Sequence, residues 1–205
     1  MIGSDVIQIW LIGMTLVMLA GLNPLLGILA LSLTFLSQGV APRAELSWFA
    51  DPRLLWIWAL LLGLQFVADL YFVPASTRDR AYLHEVRTVN AYLHARLQSF
   101  VRPLAAATIL AALPTPLAAQ SSAVVGFVAG TALYWMTAWV REQVAINRGS
   151  IMLLLLEMLK NLVGFVAAIL AGWAAPLALA LVGALLVSVG WWAERLRREQ
   201  LQYRS

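Results

Sequence analysis

Glu157, Lys160 and Asn161 sit inside one of the most apolar stretches of the chain, residues 150–173, SIMLLLLEMLKNLVGFVAAILAGW. The stretch is long enough to cross a bilayer, because 24 helical residues rise about 36 Å against a hydrocarbon core of about 30 Å. Lys160 is the only lysine in the sequence. An ionisable group at the centre of a membrane helix costs at least about 2.5–3.5 kcal/mol, and it persists where it is paired or faces a cavity. Spacings of three and four residues put Glu157, Lys160 and Asn161 on one helix face. Two readings follow. The trio is a self-neutralising group that lets the helix insert and dock, or it belongs to a polar pathway for an ion or small solute.

A second expensive feature lies near the start, at Gly21-Leu22-Asn23-Pro24 between the apolar runs 6–20 and 25–36. Proline lacks a backbone donor and disfavours helix in the residue before it. A single helix over both runs would measure about 46 Å, too long to cross without strong tilt. The segment therefore reads as a hairpin with its tip at Asn23, either a plain tight turn or a re-entrant tip inside the membrane layer. Irregular backbone at that depth requires protein or water against it. Gly21, Pro24 and Pro103 are the expected backbone breaks, and the trio on the central helix is expected to face Asn23. Lys160, too deep to snorkel, would draw on Glu157 or on the freed carbonyls near Gly21 and Leu22.

Asp69 and Arg102 fall at similar depths in neighbouring segments, which predicts a structural ion pair. His84 and His94 are the only histidines; ten positions apart, they lie on different helix faces, and no metal site is expected. The sequence carries no zinc, serine-hydrolase or thiol motif, so no enzyme activity and no cofactor are expected. Gly126 and Gly130 form a GxxxG, suited to close helix approach within the chain or between two copies, so a homo-oligomer stays open.

These residues need a scaffold, and the composition defines it. The 205 residues are 62% hydrophobic and 12% charged, about half the charge of a soluble domain, with mean hydropathy +0.82. The bilayer must be the solvent. The expected fold is all-α, a polytopic transmembrane bundle of six to seven membrane segments with a broken or re-entrant N-terminal hairpin, in one domain spanning 1–205. Residues 73–99 read as an arginine-bearing amphipathic connector at the membrane surface, 100–113 as a short separate crossing, 141–149 as a polar loop, and 193–205 as a basic tail. Placing 73–99 in the cytoplasm puts all of the 14 basic residues inside except Arg43, Arg53 and Lys160, as the positive-inside rule asks, and makes the C-terminus cytoplasmic. The first residues lack a basic n-region, which predicts no cleaved signal peptide. Without cysteine there is no thiolate chemistry. The net charge of +4 is explained by topology rather than by nucleic acid.

GLNPLLGILALSL, LSWFADPRLLWIWALLLGLQFVADLYFVP and FVRPLAAATILAAL resemble a bacterial membrane family of unknown function (domain of unknown function 4126) over roughly the first 115 residues. The resemblance implies a multi-pass protein of a bacterial inner membrane, with Asn23, Pro24, Asp69, Arg102 and Pro103 as motif positions. Gln65 and Ala106 depart from the pattern, which often has Glu and Gly there. No activity comes with the family. The functional expectation is a small-solute or ion transporter or channel with a polar site at Asn23, Glu157, Lys160 and Asn161. The alternative is a lipid-binding or membrane-organising scaffold whose arginines at 78–102 hold anionic headgroups. Membrane lipids are the expected partners.

Overall fold

The computed structural model describes the backbone of residues 2–75, 84–171 and 173–204, with side chains except at 2–4, 38, 68–96, 146, 149–150, 200 and 203–204. The described residues are mostly helical and include no strand. Helix α1 runs Ile2–Leu22, α2 Pro24–Gln38, α3 Pro52–Ala75, α4 His84–Ala112, α5 Ala119–Ala171 and α6 Ala175–Arg204, with a short 3₁₀ helix at Ala44–Ala50. Helices α1, α2 and α4 and the upper parts of α5 and α6 share one apolar core, around Ile12, Leu16, Leu31, Ile109 and Ala168. A smaller cluster joins Val144, Leu153 and Leu196 at the other end.

Asn23 is the one residue between α1 and α2. Its extended backbone (φ −151°, ψ 118°) ends the first helix, and Pro24 opens the second at a position where its missing N–H is harmless. The chain folds back so tightly that a Cβ on Gly27 would lie 2.9 Å from the Cα of Ala20. This is the expected hairpin. Helix α2 ends on Gly39, the one left-handed residue described (φ 64°).

Helix α5 changes the expected plan. Helical hydrogen bonding continues for 53 residues, through the stretch expected to be a loop. Yet Arg141 and Glu157 are in contact, Nε to Oε1 3.0 Å. A straight helix would hold positions 141 and 157 about 24 Å apart along its axis, beyond the reach of the two side chains. The helix is therefore folded back on itself between these residues. Gly149-Ser150 falls there, and Gly/Ser pairs are among the places where helices kink. Its two halves, Ala119–Ala145 and Ile151–Ala171, are each long and apolar enough to cross a membrane.

By length and composition the described residues hold four such helices: Asp5–Leu22, the two halves of α5, and Ala175–Glu199. A fifth arises if Ala44–Ala50 and Pro52–Val67, bent by 67°, count as one span. The expected six to seven crossings are not supported. Pro24–Ser37 and Leu97–Ala112 are apolar but shorter than a crossing. The separate segment 100–113 is also corrected, since α4 runs from His84 straight through Pro103. The C-terminal basic stretch is helical to Arg204, with Arg197 and Arg198 paired to Glu194 and Arg148 to Glu199. The GxxxG serves packing within the chain: a Cβ on Gly126 would meet the Ala106 carbonyl at 2.4 Å, and one on Gly130 the Pro103 Cα at 3.0 Å.

Candidate functional site

A break between two buried helices exposes carbonyls at the end of the first and N–H groups at the start of the second. Asn23 serves the second set itself: its Oδ1 accepts from the N–H of Leu25 (3.0 Å) and Leu26 (3.4 Å). Its own N–H reaches the Leu19 carbonyl at 2.7 Å. The Gly21 carbonyl accepts from Nη1 of Arg102 at 3.0 Å. Arg102 is 4% exposed. The same nitrogen lies 3.1 Å from the Thr137 hydroxyl, Nε donates to Gln98 at 3.1 Å, and the guanidinium stands 5.8 Å from the Tyr134 ring. A cation at a helix C-terminus also meets the negative end of the helix dipole. The carbonyl expected to draw Lys160 is thus held by Arg102.

Lys160 pairs with Glu157, one turn away on the same face, and both are buried. Arg141 stands across the fold of α5, 3.0 Å from the other carboxylate oxygen. That oxygen has no directed hydrogen bond, so the contact with Arg141 is one of charge at poor angle. Arg102 and Arg141 both act through space on Glu157 and Lys160. A cavity of about 30 Å³, enough for one water, lies among Leu22, Thr137, Arg141, Glu157 and Lys160. One carboxylate and three basic side chains from α4 and both halves of α5 therefore converge beside the end of α1.

Asn161 completes the trio: its Oδ1 accepts from Nδ2 of Asn23 at 3.4 Å. Asn161 thus meets the break directly, and Glu157 and Lys160 line the small cavity beside Leu22 at the end of α1. Asn161 is also the midpoint of the apolar half-helix Ile151–Ala171. Higher on the same helices, the Thr15 hydroxyl lies 3.3 Å from the Ala175 carbonyl at the start of α6. Asn23 is eight residues below Thr15, about 12 Å along α1. The break follows directly on the candidate span Asp5–Leu22 and stands level with the midpoint of the half-helix Ile151–Ala171.

Not every expected site residue can be placed, and two expected backbone breaks are corrected. The Asp69 side chain lies outside the described residues, so its pairing with Arg102 does too, as do the contacts of His84 and His94. Among the described residues, no group of acids and histidines could hold a metal. Pro103 and Gly21 are not backbone breaks. Gly21 closes the last turn of α1, and α4 accommodates Pro103 where Gly130 lets α5 press against its Cα. Such prolines are tolerated in membrane helices when neighbours satisfy the freed groups.

Sequence reading missed Arg141, because a loop was expected there, and Thr137 and Gln98, whose only signal is polarity on an apolar helix face. It also missed Arg43. Nε of Arg43 donates to the Leu113 carbonyl (3.0 Å), Nη2 to the Thr115 carbonyl (3.1 Å) and hydroxyl (3.2 Å) and to the Leu117 carbonyl, and its backbone N–H to Ala112 (3.0 Å). It clamps the Pro114-Thr115-Pro116 turn. No family model, curated protein or solved structure matches the chain.

Proposed function

We propose that the protein is a small-solute or ion transporter or channel whose pathway passes Asn23, Glu157, Lys160 and Asn161. The observation that supports this is the buried Glu157–Lys160 pair beside the α1–α2 break, with space for water next to it. Transporters commonly build midplane sites from discontinuous helices, whose ends supply unpaired backbone groups. In this reading the α1–α2 hairpin is re-entrant, and the Glu157–Lys160–Arg141 group provides the charge that an ion or polar solute meets. A purely structural ionic cluster is the competing account. The lipid-scaffold alternative rested on residues 78–102, most of which lie outside the described side chains.

Proteoliposome flux separates the two accounts. Proton, sodium, potassium and chloride movement would be followed with entrapped dyes, and small neutral solutes by osmotic swelling. The expected result is flux of one of these, reduced at least about tenfold by Lys160→Ala, the consequence of losing roughly 1.4 kcal/mol at the limiting step. No flux for any solute with correctly folded protein sinks the proposal.

We further propose the inner membrane of a bacterium as location, with the end of α6 in the cytoplasm, on the distribution of arginines and the family resemblance. A phosphatase fused after Arg204 is expected to be inactive in the periplasm; activity there reverses the orientation.

A further inference from the structure

A second cavity, far larger than the first, lies between α2, α3 and the second half of α5. It measures about 680 Å³, within the usual range of about 300–1,000 Å³ for small-molecule pockets. Among the described residues no ionisable side chain lines it, and its polar lining is Asn23 and Asn161. Two small residues one turn apart on α3, Ala59 and Gly63, hold it open. A Cβ at Gly63 would meet nothing within 4 Å. Leu159, Leu162 and Phe165 on its α5 wall remain 48%, 63% and 48% exposed. The recess thus opens sideways, at the depth of the middle of a span.

The orientation of its two amides is fixed by the fold. Asn23 must turn Oδ1 towards the N–H groups of Leu25 and Leu26, because it caps α2. Its Nδ2 is then the atom facing Asn161, which must present Oδ1 in return. A flip of either amide sets donor against donor or loses the cap. Nδ2 of Asn161 is left over, and among the described residues it makes no hydrogen bond. An apolar recess thus carries spare N–H donors and no charge.

We infer that this recess binds an uncharged amphiphile dissolved in the bilayer: a hydrocarbon body bearing a carbonyl or hydroxyl oxygen that accepts from Asn161 Nδ2. The apolar walls hold the body by burial. The amide selects for an acceptor, because a spare donor in an apolar site is costly unless matched. Charged headgroups find no counter-charge among the described lining residues. The inference shares Asn23 and Asn161 with the proposed pathway but uses neither Glu157 nor Lys160, and its readout is occupancy rather than flux, so either can fail while the other stands.

The test uses the full chain in phosphatidylcholine proteoliposomes. The probe is a long-chain methyl ketone with a photoactivatable diazirine at its far end, set against the hydrocarbon of equal length with the same diazirine. Labelled residues are identified by mass spectrometry. The ketone is expected to label the α3 and α5 walls of the recess about tenfold more efficiently than the hydrocarbon, which corresponds to one hydrogen bond of about 1.4 kcal/mol. Asn161→Leu should bring the ketone down to the hydrocarbon level. Gly63→Phe, which has room for its ring, should abolish labelling by both probes at the recess while helix content and monodispersity stay unchanged. It keeps the test decisive if Asn161→Leu misfolds. Equal labelling by the two probes, or persistence of ketone labelling in Gly63→Phe, would each overturn the inference.

Discussion

Arg43 and Arg102 do the same chemistry at two levels of the bundle. Each donates to carbonyls left open at the C-terminal end of a helix, Arg102 to Gly21 of α1 and Arg43 to Leu113, Thr115 and Leu117 after α4. By number of carbonyls Arg43 is the better clamp. It is, however, half-exposed and grips a turn whose Pro114 and Pro116 are exposed, where water can replace what it supplies. Arg102 is buried and acts on Glu157 and Lys160 as well. Energetic weight follows from what remains when a group is removed, and an unpaired carbonyl costs most where no water reaches it.

That comparison sets an order of effects that unfolding in denaturing detergent can check. The largest belongs to the charge beside Arg102. Glu157→Gln leaves Lys160 and Arg141 facing each other in a buried site and is expected to destabilise by about 3–5 kcal/mol. Lys160→Met should cost clearly less, because Arg141 still neutralises Glu157. Adding Lys160→Met to Glu157→Gln should recover part of the loss. Additive behaviour in this double-mutant cycle would show that the pair is not coupled.

Next comes Arg102→Leu, which strands the Gly21 carbonyl and Gln98 and is expected to cost about 3 kcal/mol, at about 1–3 kcal/mol for each buried group left without a partner. Smallest is Arg43→Leu, at about 1 kcal/mol, since water takes over its carbonyls. If Arg43→Leu equals or exceeds Arg102→Leu, burial is not what separates the two arginines.

Cost made one half of this arrangement legible in the sequence. A proline after Asn23 in an apolar run announces a break, and a lysine with a carboxylate one turn away must face inward, whatever the neighbours are. The rest depends on contacts far apart in sequence. Nothing local to Arg102 says that it will close α1, because Gly21 is 81 positions away. Residues 141–149 are polar enough to pass for a loop, and only the contact between Arg141 and Glu157 reveals that the helix continues and turns back. The crossing count failed for a related reason: apolar composition marks α2 and the end of α4 as membrane-compatible but does not say how far they reach. The recess was invisible, since a cavity is made by what three helices leave unfilled.

The same separations put the site on a clock. Glu157 and Lys160 are three positions apart and find each other as their helix forms. Arg102 meets the end of α1 after 81 residues of further synthesis, and Asn23 waits 138 for Asn161. At about 5–20 residues per second that last wait is on the order of ten seconds. Through it, Asn23 needs no distant partner for the acceptor that matters most, because Oδ1 is already spent on the first turn of α2. The N–H side of the break is made early and without distant help, and Arg102 and the charged cluster close its carbonyl side afterwards.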